Sequence, residues 1–170
     1  CMLPWQHIHA FPDGRAYPCC FSLDKYPVGD LNKDSMETVF NGTDMKQMRL
    51  NMLANKSSKQ CTKCYDQEKS GFFSLRLSSN KHFGHNIGMI ENTEADGSAD
   101  FVIKYWDIRF SNLCNLACRS CGTWFSSNWY EDHKKLTGKP PEHAKIMRVG
   151  RSSNDIWEQM LEQFEHVEQF

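Results

Sequence analysis

Three cysteines lie close together in the second half of the 170-residue chain, at steps of four and three residues: Cys114, Cys118 and Cys121. A loop with this spacing can direct three thiolates at one point. Three thiolates are one too few for a closed tetrahedral zinc site, which takes four protein ligands. They suit a cubane iron–sulfur cluster that leaves one iron open to a ligand that is not protein, although such clusters usually take four thiolates.

The residues on either side of these cysteines predict the elements that position them. Residues 101–110 are rich in β-branched and aromatic side chains and predict a strand. Residues 123–135 predict a helix. The cysteines therefore lie on a loop that runs from the end of a strand into a helix. In open α/β sheets and barrels, this edge is where functional sites are built.

A second group of cysteines begins on a predicted β-hairpin over residues 1–22. The Pro-Asp-Gly turn at residues 12–14 separates two arms, since Pro presets φ and Gly accepts a positive φ. Cys1 precedes the first arm, and Cys19 and Cys20 end the second, so antiparallel pairing brings them near one another. Because successive strand residues point to opposite faces, only one of the two neighbouring cysteines should face Cys1.

The same group continues with Cys61 and Cys64 at the start of another predicted helix. Two intervening residues allow both thiolates to turn toward one ion. Cys1 and Cys19 from the hairpin raise the number of available thiolates to four. Four thiolates suit a tetrahedral zinc site and equally an iron–sulfur cluster held by protein alone, so the pattern leaves both open.

Composition excludes several other classes. The net charge of −1 provides no electrostatic footprint for nucleic acid or an anionic membrane. No apolar run reaches the roughly 18 residues of a membrane-spanning helix, and no stretch resembles a signal peptide. The eight cysteines fall in short-step groups, which disfavours a disulfide framework. A cytoplasmic protein without membrane or nucleic-acid partners is expected.

The strand followed by C-x3-C-x2-C resembles the signature of the radical S-adenosylmethionine (SAM) enzymes. The resemblance implies that Cys114, Cys118 and Cys121 hold a 4Fe–4S cluster whose open iron binds SAM. One electron from the cluster would then cleave SAM to a 5′-deoxyadenosyl radical, which abstracts hydrogen from a peptide or small-molecule substrate. A one-electron donor such as flavodoxin or ferredoxin is the implied partner. The residue before the third cysteine is often aromatic in this family and contacts the adenine, whereas here it is Ser120.

The N-terminal pattern is similar to the start of the SPASM and shorter twitch domains, which accompany many radical SAM enzymes and hold auxiliary iron–sulfur clusters. Its elements are Cys1, Gly14, Cys19 and the later C-x2-C pair. The auxiliary ligands implied by this resemblance are Cys1, Cys19, Cys61 and Cys64, with Cys20 spare. In most such enzymes the module follows the SAM domain, whereas here it precedes it.

The two resemblances together imply an α+β fold for residues 1–93, with a twitch-like hairpin and helices. Residues 94–100 are polar and predict a linker. Residues 101–170 are expected to form the first βα unit of an incomplete α/β radical SAM barrel. The chain starts at a cysteine, and its last predicted helix has no stop signal. We therefore expect a fragment of a longer radical SAM oxidoreductase or modifying enzyme.

The alternative hypothesis is a zinc-stabilised binding module that recruits protein or nucleic acid. It accounts well for the four N-terminal thiolates. It accounts poorly for the three later cysteines, because a fourth ligand such as His133 would have to be found. Colour separates the two hypotheses, since zinc proteins are colourless and iron–sulfur proteins are brown.

Four polar residues near the predicted sites have simpler interpretations. His7 and His9 alternate on the first hairpin arm and share a face. We interpret them as part of an ordinary hairpin surface rather than as ligands, because four thiolates already fill a metal site. Asp107 and Arg109 flank the end of the later strand and are predicted to pair with each other.

Apolar spacing predicts which residues pack in the core. Met45, Met48 and Met52 recur near helical spacing and predict a packed face rather than a cofactor site. A closing helix is predicted from about Asn154, with apolar residues at helical steps as far as Val167. The tryptophans are most simply core residues: Trp5, Trp106, Trp124, Trp129 and Trp157.

Overall fold

The computed structural model describes residues 1–150 and 156–170, so the predicted helix start at Asn154 lies outside the described residues. The fold is mixed α+β and contains one small four-stranded sheet with the strand order β3-β2-β1-β4. The strands are β1 (His7–Ala10), β2 (Arg15–Tyr17), β3 (Gly29–Asp30) and β4 (Tyr105–Ile108).

The α-helices of the described residues are α1 (Met36–Phe40), α2 (Thr43–Leu53), α3 (Thr62–Lys69), α4 (Leu75–Phe83), α5 (Gly88–Glu91), α6 (Trp129–Thr137) and α7 (Ile156–Leu161). Short 3₁₀ helices cover Leu3–Trp5, Lys59–Cys61, Gly84–Asn86 and Phe164–His166. Across the described part of the chain, every helix is too short or too polar to cross a lipid bilayer.

The predicted hairpin is present. β1 and β2 pair antiparallel, with His9 opposite Tyr17. In the connecting turn Gly14 has a φ of +95°, a conformation that a residue with a Cβ adopts only with strain. The side chains of Asp30 and Asn32 also occupy the space that a Cβ at this position would need. The turn therefore depends on glycine both for its backbone angle and for its packing.

β4 adds to the other side of β1 as a parallel strand, with His9 opposite Asp107. The strand is shorter than the predicted 101–110, because residues 101–103 have no ladder partner and form an extended approach to the sheet. The sheet therefore contains residues from both sides of the predicted linker. The division into two domains remains a prediction, and no barrel is formed by the described residues.

The edge of β4 that faces away from β1 makes one further backbone pairing. Tyr105 and Gln169 form a single parallel bridge. The backbone N–H of Trp106 donates to the carbonyl of Gln169 at 2.9 Å, and that of Gln169 donates to the carbonyl of Lys104 at 3.0 Å. The backbone N–H and C=O groups of successive β4 residues point to alternate edges of the strand. β1 therefore pairs with one edge of β4, and Gln169 pairs with the other.

Residues 94–100, the predicted linker, are held against α2. The guanidinium of Arg49 donates to the carbonyl of Gly97 at 3.1 Å and to the side-chain oxygen of Asn41 at 2.9 Å. That same oxygen accepts the backbone N–H of Ala99 at 3.1 Å. Lys46 pairs with Asp96. This segment is therefore a fixed part of the fold rather than a free tether.

Two helix boundaries differ from the prediction for identifiable reasons. α4 begins at Leu75, where Ser74 caps it by accepting the N–H of Leu77 at 3.2 Å. α6 begins at Trp129 rather than near residue 123, because the preceding residues are used to hold the cysteine loop. The closing helix ends at Leu161 and gives way to a 3₁₀ turn, so the predicted continuous helix was wrong.

The core lies between one face of the sheet and the helices. Ile8, Ala10 and Trp106 point into it, and Met45 and Met48 of α2 are fully buried there, as the methionine spacing predicted. Trp5 is also buried. Trp124 and Trp157 are 37% and 50% exposed, so their assignment to the core was wrong.

The opposite face of the sheet is polar and aromatic, yet it is also buried. His7 and His9 share this face as predicted, and both are almost fully buried. The ring of His7 stacks on Tyr105 with centroids 4.2 Å apart. The predicted pair of Asp107 with Arg109 was wrong. Nδ1 of His9 lies 2.8 Å from the carboxylate of Asp107, as a close ion-pair contact rather than an aligned hydrogen bond.

His7 should make the stability of the fold depend on pH. Its Nδ1–H donates to the carbonyl of Tyr105 at 2.9 Å, and Nε2 has no hydrogen-bond partner among the described residues. Burial lowers the pKa of His7 to about 4 from its ordinary 6.5. Between these two pH values His7 is protonated in the unfolded chain but neutral in the folded chain. The free energy of unfolding should therefore fall as pH drops from about 6.5 toward 4. A shift of this size corresponds to about 3 kcal/mol.

This prediction can be checked by urea unfolding of the metal-free chain at pH 7 and pH 4.5. The variant His7→Phe keeps a ring on Tyr105 but cannot be protonated, so its loss of stability between the two pH values should be smaller by up to about 3 kcal/mol. An equal pH dependence in both proteins would contradict the prediction.

Candidate metal centre

Four of the predicted ligand residues come from three separate parts of the N-terminal fold. Cys1 precedes the first 3₁₀ turn, and Cys19 follows β2. Cys61 ends the second 3₁₀ turn, and Cys64 lies in the first turn of α3. The change from 3₁₀ to α-helix at Cys61 places both cysteines of the C-x2-C pair on the side facing the hairpin.

Packing and charge show that these residues are neighbours. Cys1 and Cys19 both pack against a small apolar cluster that includes Leu3 and Phe83. The thiol of Cys19 lies within electrostatic range of Cys61 and of the nearby C-x2-C partner, and the amino group of Cys1 lies within range of the same pair. The fold thus brings together the four predicted auxiliary ligands. None of the eight cysteines is in a disulfide.

Burial makes the ionised thiolates costly without a cation. Desolvation, the largest cause, raises the pKa of Cys19 to about 12, although a backbone hydrogen bond from Phe21 opposes the rise. Desolvation and the neighbouring Cys64 raise the pKa of Cys61 to about 11. The thiols of Cys19 and Cys61 are therefore neutral at pH 7 in the metal-free protein. A bound cation would reverse this preference, because it favours the thiolate form.

The four-thiol donor set suits either a tetrahedral metal ion or a cluster held by protein alone. In a tetrahedral zinc site with Zn–S bonds of about 2.3 Å, the sulfurs lie about 3.8 Å from one another. In an iron–sulfur cluster the thiolates bind different irons and stand further apart. Within residues 1–150 and 156–170, no three His, Cys, Asp or Glu side chains form a group that could hold one metal ion. The donors are all thiols, close to one another but not converged on a point.

Cys20 is exposed, whereas the other four N-terminal cysteines are buried or half-buried. After desolvation, the largest influence on its raised pKa is the carboxylate of Asp107, and Cys64 also contributes. Cys19 and Cys20 both follow β2, which ends at Tyr17, so strand alternation does not separate them. That Cys20 is spare stays a prediction.

The three later cysteines lie on an irregular loop after β4. Cys114 and Cys121 are half-buried and Cys118 is exposed. The N–H of Cys121 donates to the carbonyl of Cys118 at 3.0 Å, which closes a tight turn between them. The three thiols do not form a metal-holding group in this part of the chain. Their assignment as ligands therefore remains a prediction.

The loop is nevertheless anchored by residues that the sequence analysis missed. Asn112 is fully buried, and its side chain donates to the carbonyls of Thr123 and Lys145 at 3.2 and 3.1 Å. Its side-chain oxygen accepts the N–H of Met147 at 2.8 Å. The sequence offered one signal for this anchor. An asparagine lies two residues before the first cysteine of the motif, at the end of the predicted strand.

Two serines and a tryptophan hold the loop from the helical side. Ser126 donates to the carbonyl of Leu116 at 2.7 Å, and Ser127 accepts the N–H of Cys114 at 3.3 Å. The indole of Trp129 donates to the carbonyl of Cys118 at 3.1 Å. These bonds explain the late start of α6 and fix the loop at both ends.

A layer of polar residues from α3 and α4 surrounds the N-terminal thiols. Arg76 forms a two-point ion pair with Glu68, which also accepts the hydroxyl of Ser74. Tyr65 lies under the Arg76 guanidinium, 5.6 Å from the ring centroid. A cavity of about 300 Å³ beside Cys1 is lined in part by Arg76 and Tyr65. The thiols thus border a polar, solvent-connected space.

Comparison with known families supports iron–sulfur binding by the N-terminal part of the chain. Residues 1–65 match the SPASM family, an iron–sulfur cluster-binding domain. This confirms the SPASM resemblance predicted from the N-terminal cysteines, all of which lie in the matched segment. SPASM domains are found in radical SAM enzymes, which suggests an enzyme. No curated protein and no solved structure matches the chain.

Proposed function

We propose that residues 1–93 hold one auxiliary iron–sulfur cluster through four thiolates: Cys1, Cys19, Cys61 and Cys64. The observation that carries this proposal is the gathering of these four buried or half-buried thiols from three elements. The segment that matches the SPASM family contains all four. In this proposal Cys20 takes no part, because it is the exposed member of the group.

We propose further that residues 101–170 begin a radical SAM domain in which Cys114, Cys118 and Cys121 are the cluster ligands. The strand, cysteine loop and helix follow the order expected for a βα unit. The parallel bridge between Tyr105 and Gln169 supports this proposal, because a second parallel strand beside the first is the next element of such a unit.

In this proposal the chain is part of a radical SAM oxidoreductase or modifying enzyme. Bound at the three later cysteines, a 4Fe–4S cluster with an open iron supplies the electron for reductive cleavage of SAM, which starts hydrogen abstraction from a peptide or small-molecule substrate. The protein holds the loop through Asn112, Ser126 and Ser127 and so keeps the three thiols on one short turn. A flavodoxin- or ferredoxin-type donor is the proposed redox partner.

Residues 94–100 are proposed as the boundary between the two units. Their bonds to Arg49 and Asn41 make this boundary rigid. β4 sits beside β1, so the two proposed cluster sites share one sheet. A fixed relative position is what electron or substrate transfer between two sites requires.

Anaerobic reconstitution of the 170-residue chain with iron and sulfide tests the proposal. A brown protein with about eight irons is expected for two cubanes, and the variant with Cys114, Cys118 and Cys121 changed to alanine should keep about four. Added SAM should change the electron paramagnetic resonance spectrum of the unaltered chain only. A colourless protein with about two zinc ions and no sulfide would instead favour a zinc-stabilised binding module. Fewer than about seven irons would count against two cubanes.

A further inference from the structure

α4 places one buried hydroxyl directly against a proposed cluster ligand. Oγ of Ser79 lies 3.2 Å from Sγ of Cys1, and the two residues are 78 positions apart in the chain. Ser79 is only 5% exposed. Its hydroxyl also donates to the carbonyl of Arg76 at 3.0 Å. The contact is thus tertiary, partly buried and within hydrogen-bond reach of a sulfur.

The direction of this hydrogen bond depends on whether Cys1 is a thiol or a thiolate. In the metal-free chain the Cys1 S–H can donate to the serine oxygen while the serine proton goes to the Arg76 carbonyl. A thiolate ligand has no proton, so the hydroxyl can hold the contact only by rotating to donate to sulfur. The Arg76 carbonyl keeps one hydrogen-bond donor after this rotation. It lies inside α4, where it also accepts the backbone N–H of the residue four positions later in the chain.

The guanidinium of Arg76 is a weaker candidate for influencing the sulfur. Arg76 is bound at two points by the carboxylate of Glu68, with Nε at 3.0 Å from Oε1. At the cysteine sulfurs, the electrostatic effect of the Arg76 guanidinium is opposed by that of the Glu68 carboxylate. The hydroxyl dipole of Ser79 has no such opposing partner at the sulfur and is in direct contact with it.

We propose that Ser79 is a positioning residue that hydrogen-bonds to the Cys1 sulfur in the loaded protein and raises the reduction potential of the auxiliary cluster. Donors to cluster sulfurs stabilise the more negatively charged reduced state, and hydrogen bonding to sulfur is one of the recognised determinants of cluster potential. The inference rests on the proposed function, since it requires Cys1 to be a cluster ligand.

The adjacent serine provides a matched control. Ser78 lies on the same helix but is exposed, so Ser78→Ala makes the same chemical change without touching the thiols. We would compare Ser79→Ala, Ser79→Thr and Ser78→Ala in the full chain, with Cys114, Cys118 and Cys121 changed to alanine throughout so that one cluster remains. Iron and sulfide content, and a redox titration followed by electron paramagnetic resonance, are the measurements.

The expected result is a more negative midpoint potential for Ser79→Ala, an unchanged one for Ser78→Ala and restoration by Ser79→Thr, which retains the hydroxyl. If Ser79→Ala carried a full cluster with the potential of the control, the inference would be overturned and the proposed function would stand. If Ser79→Ala failed to take up a cluster, Ser79→Thr would decide the question. Normal cluster content and midpoint potential in Ser79→Thr would support the role of the hydroxyl, whereas a lowered midpoint potential in Ser79→Thr would refute it. Absence of a cluster from every variant would instead overturn the proposed function.

Discussion

Replacement of Cys64 by alanine is expected to remove the auxiliary cluster from the reconstituted chain. Cys64 is 5% exposed, so water cannot readily take the place of the missing thiolate. Loss of an outer-shell partner alone typically costs 10- to 100-fold in metal affinity. We expect loss of this direct ligand to cost more than about 100-fold on the same scale. Iron, sulfide and the brown colour of the N-terminal site should be lost together.

The matched control is Cys20→Ala, which removes a thiol from the same region but from an exposed position. Its iron and sulfide content should equal that of the unaltered chain. The measurement is iron and sulfide analysis with visible absorption after anaerobic reconstitution. Retention of all iron by Cys64→Ala, or loss of the cluster from Cys20→Ala, would refute the assignment of the four auxiliary ligands.

Replacement of Arg49 by methionine should produce the largest loss of folding stability. Arg49 is fully buried in α2 and has no carboxylate among its hydrogen-bond partners. It donates to the carbonyls of Pro4, Phe40 and Gly97 at 2.8, 2.8 and 3.1 Å, and to the Asn41 side chain at 2.9 Å. Burial lowers the pKa of Arg49 to about 10, so the guanidinium stays charged at pH 7.

Methionine fills most of the arginine volume but leaves the carbonyls of Pro4, Phe40 and Gly97 without this donor. The Asn41 oxygen keeps the N–H of Ala99. Each unsatisfied buried acceptor costs about 1–3 kcal/mol, and the contributions are not additive. We expect a total of about 4 kcal/mol, a large part of the stability of an ordinary domain. Arg49→Lys should recover part of this loss, since an ammonium has three donors but lacks the planar fork.

Urea unfolding of the metal-free chain, followed by circular dichroism, measures this effect without interference from cluster loading. Arg119 is an exposed arginine in the cysteine loop, and Arg119→Met should change the stability by no more than about 0.5 kcal/mol. A loss of unfolding free energy below about 1 kcal/mol for Arg49→Met would show that the acceptors of Arg49 find other donors. It would also show that the guanidinium does not hold residues 94–100 in place.

Short-range features were predictable because their causes are local. The Pro-Asp-Gly turn and the arms beside it predict the hairpin, and period-two alternation places His7 and His9 on one face of it. Methionine spacing along α2 identified its buried face. Arg49 shows the limit of such reasoning. On the sequence it is one charged residue in an amphipathic stretch, and nothing local indicates that its partners lie as far away as Gly97.

The sequence alone determined which donors the N-terminal site offers, since cysteine type and spacing supply four thiols, and the segment that contains them matches an iron–sulfur cluster-binding family. The tertiary structure alone decided that β4 joins the hairpin beside β1, that His9 meets Asp107 and that Ser79 lies against Cys1. These contacts join residues about 80 to 100 positions apart. Hydrophobic periodicity specifies which face of an element is buried, but not which strand edge or helix will cover it.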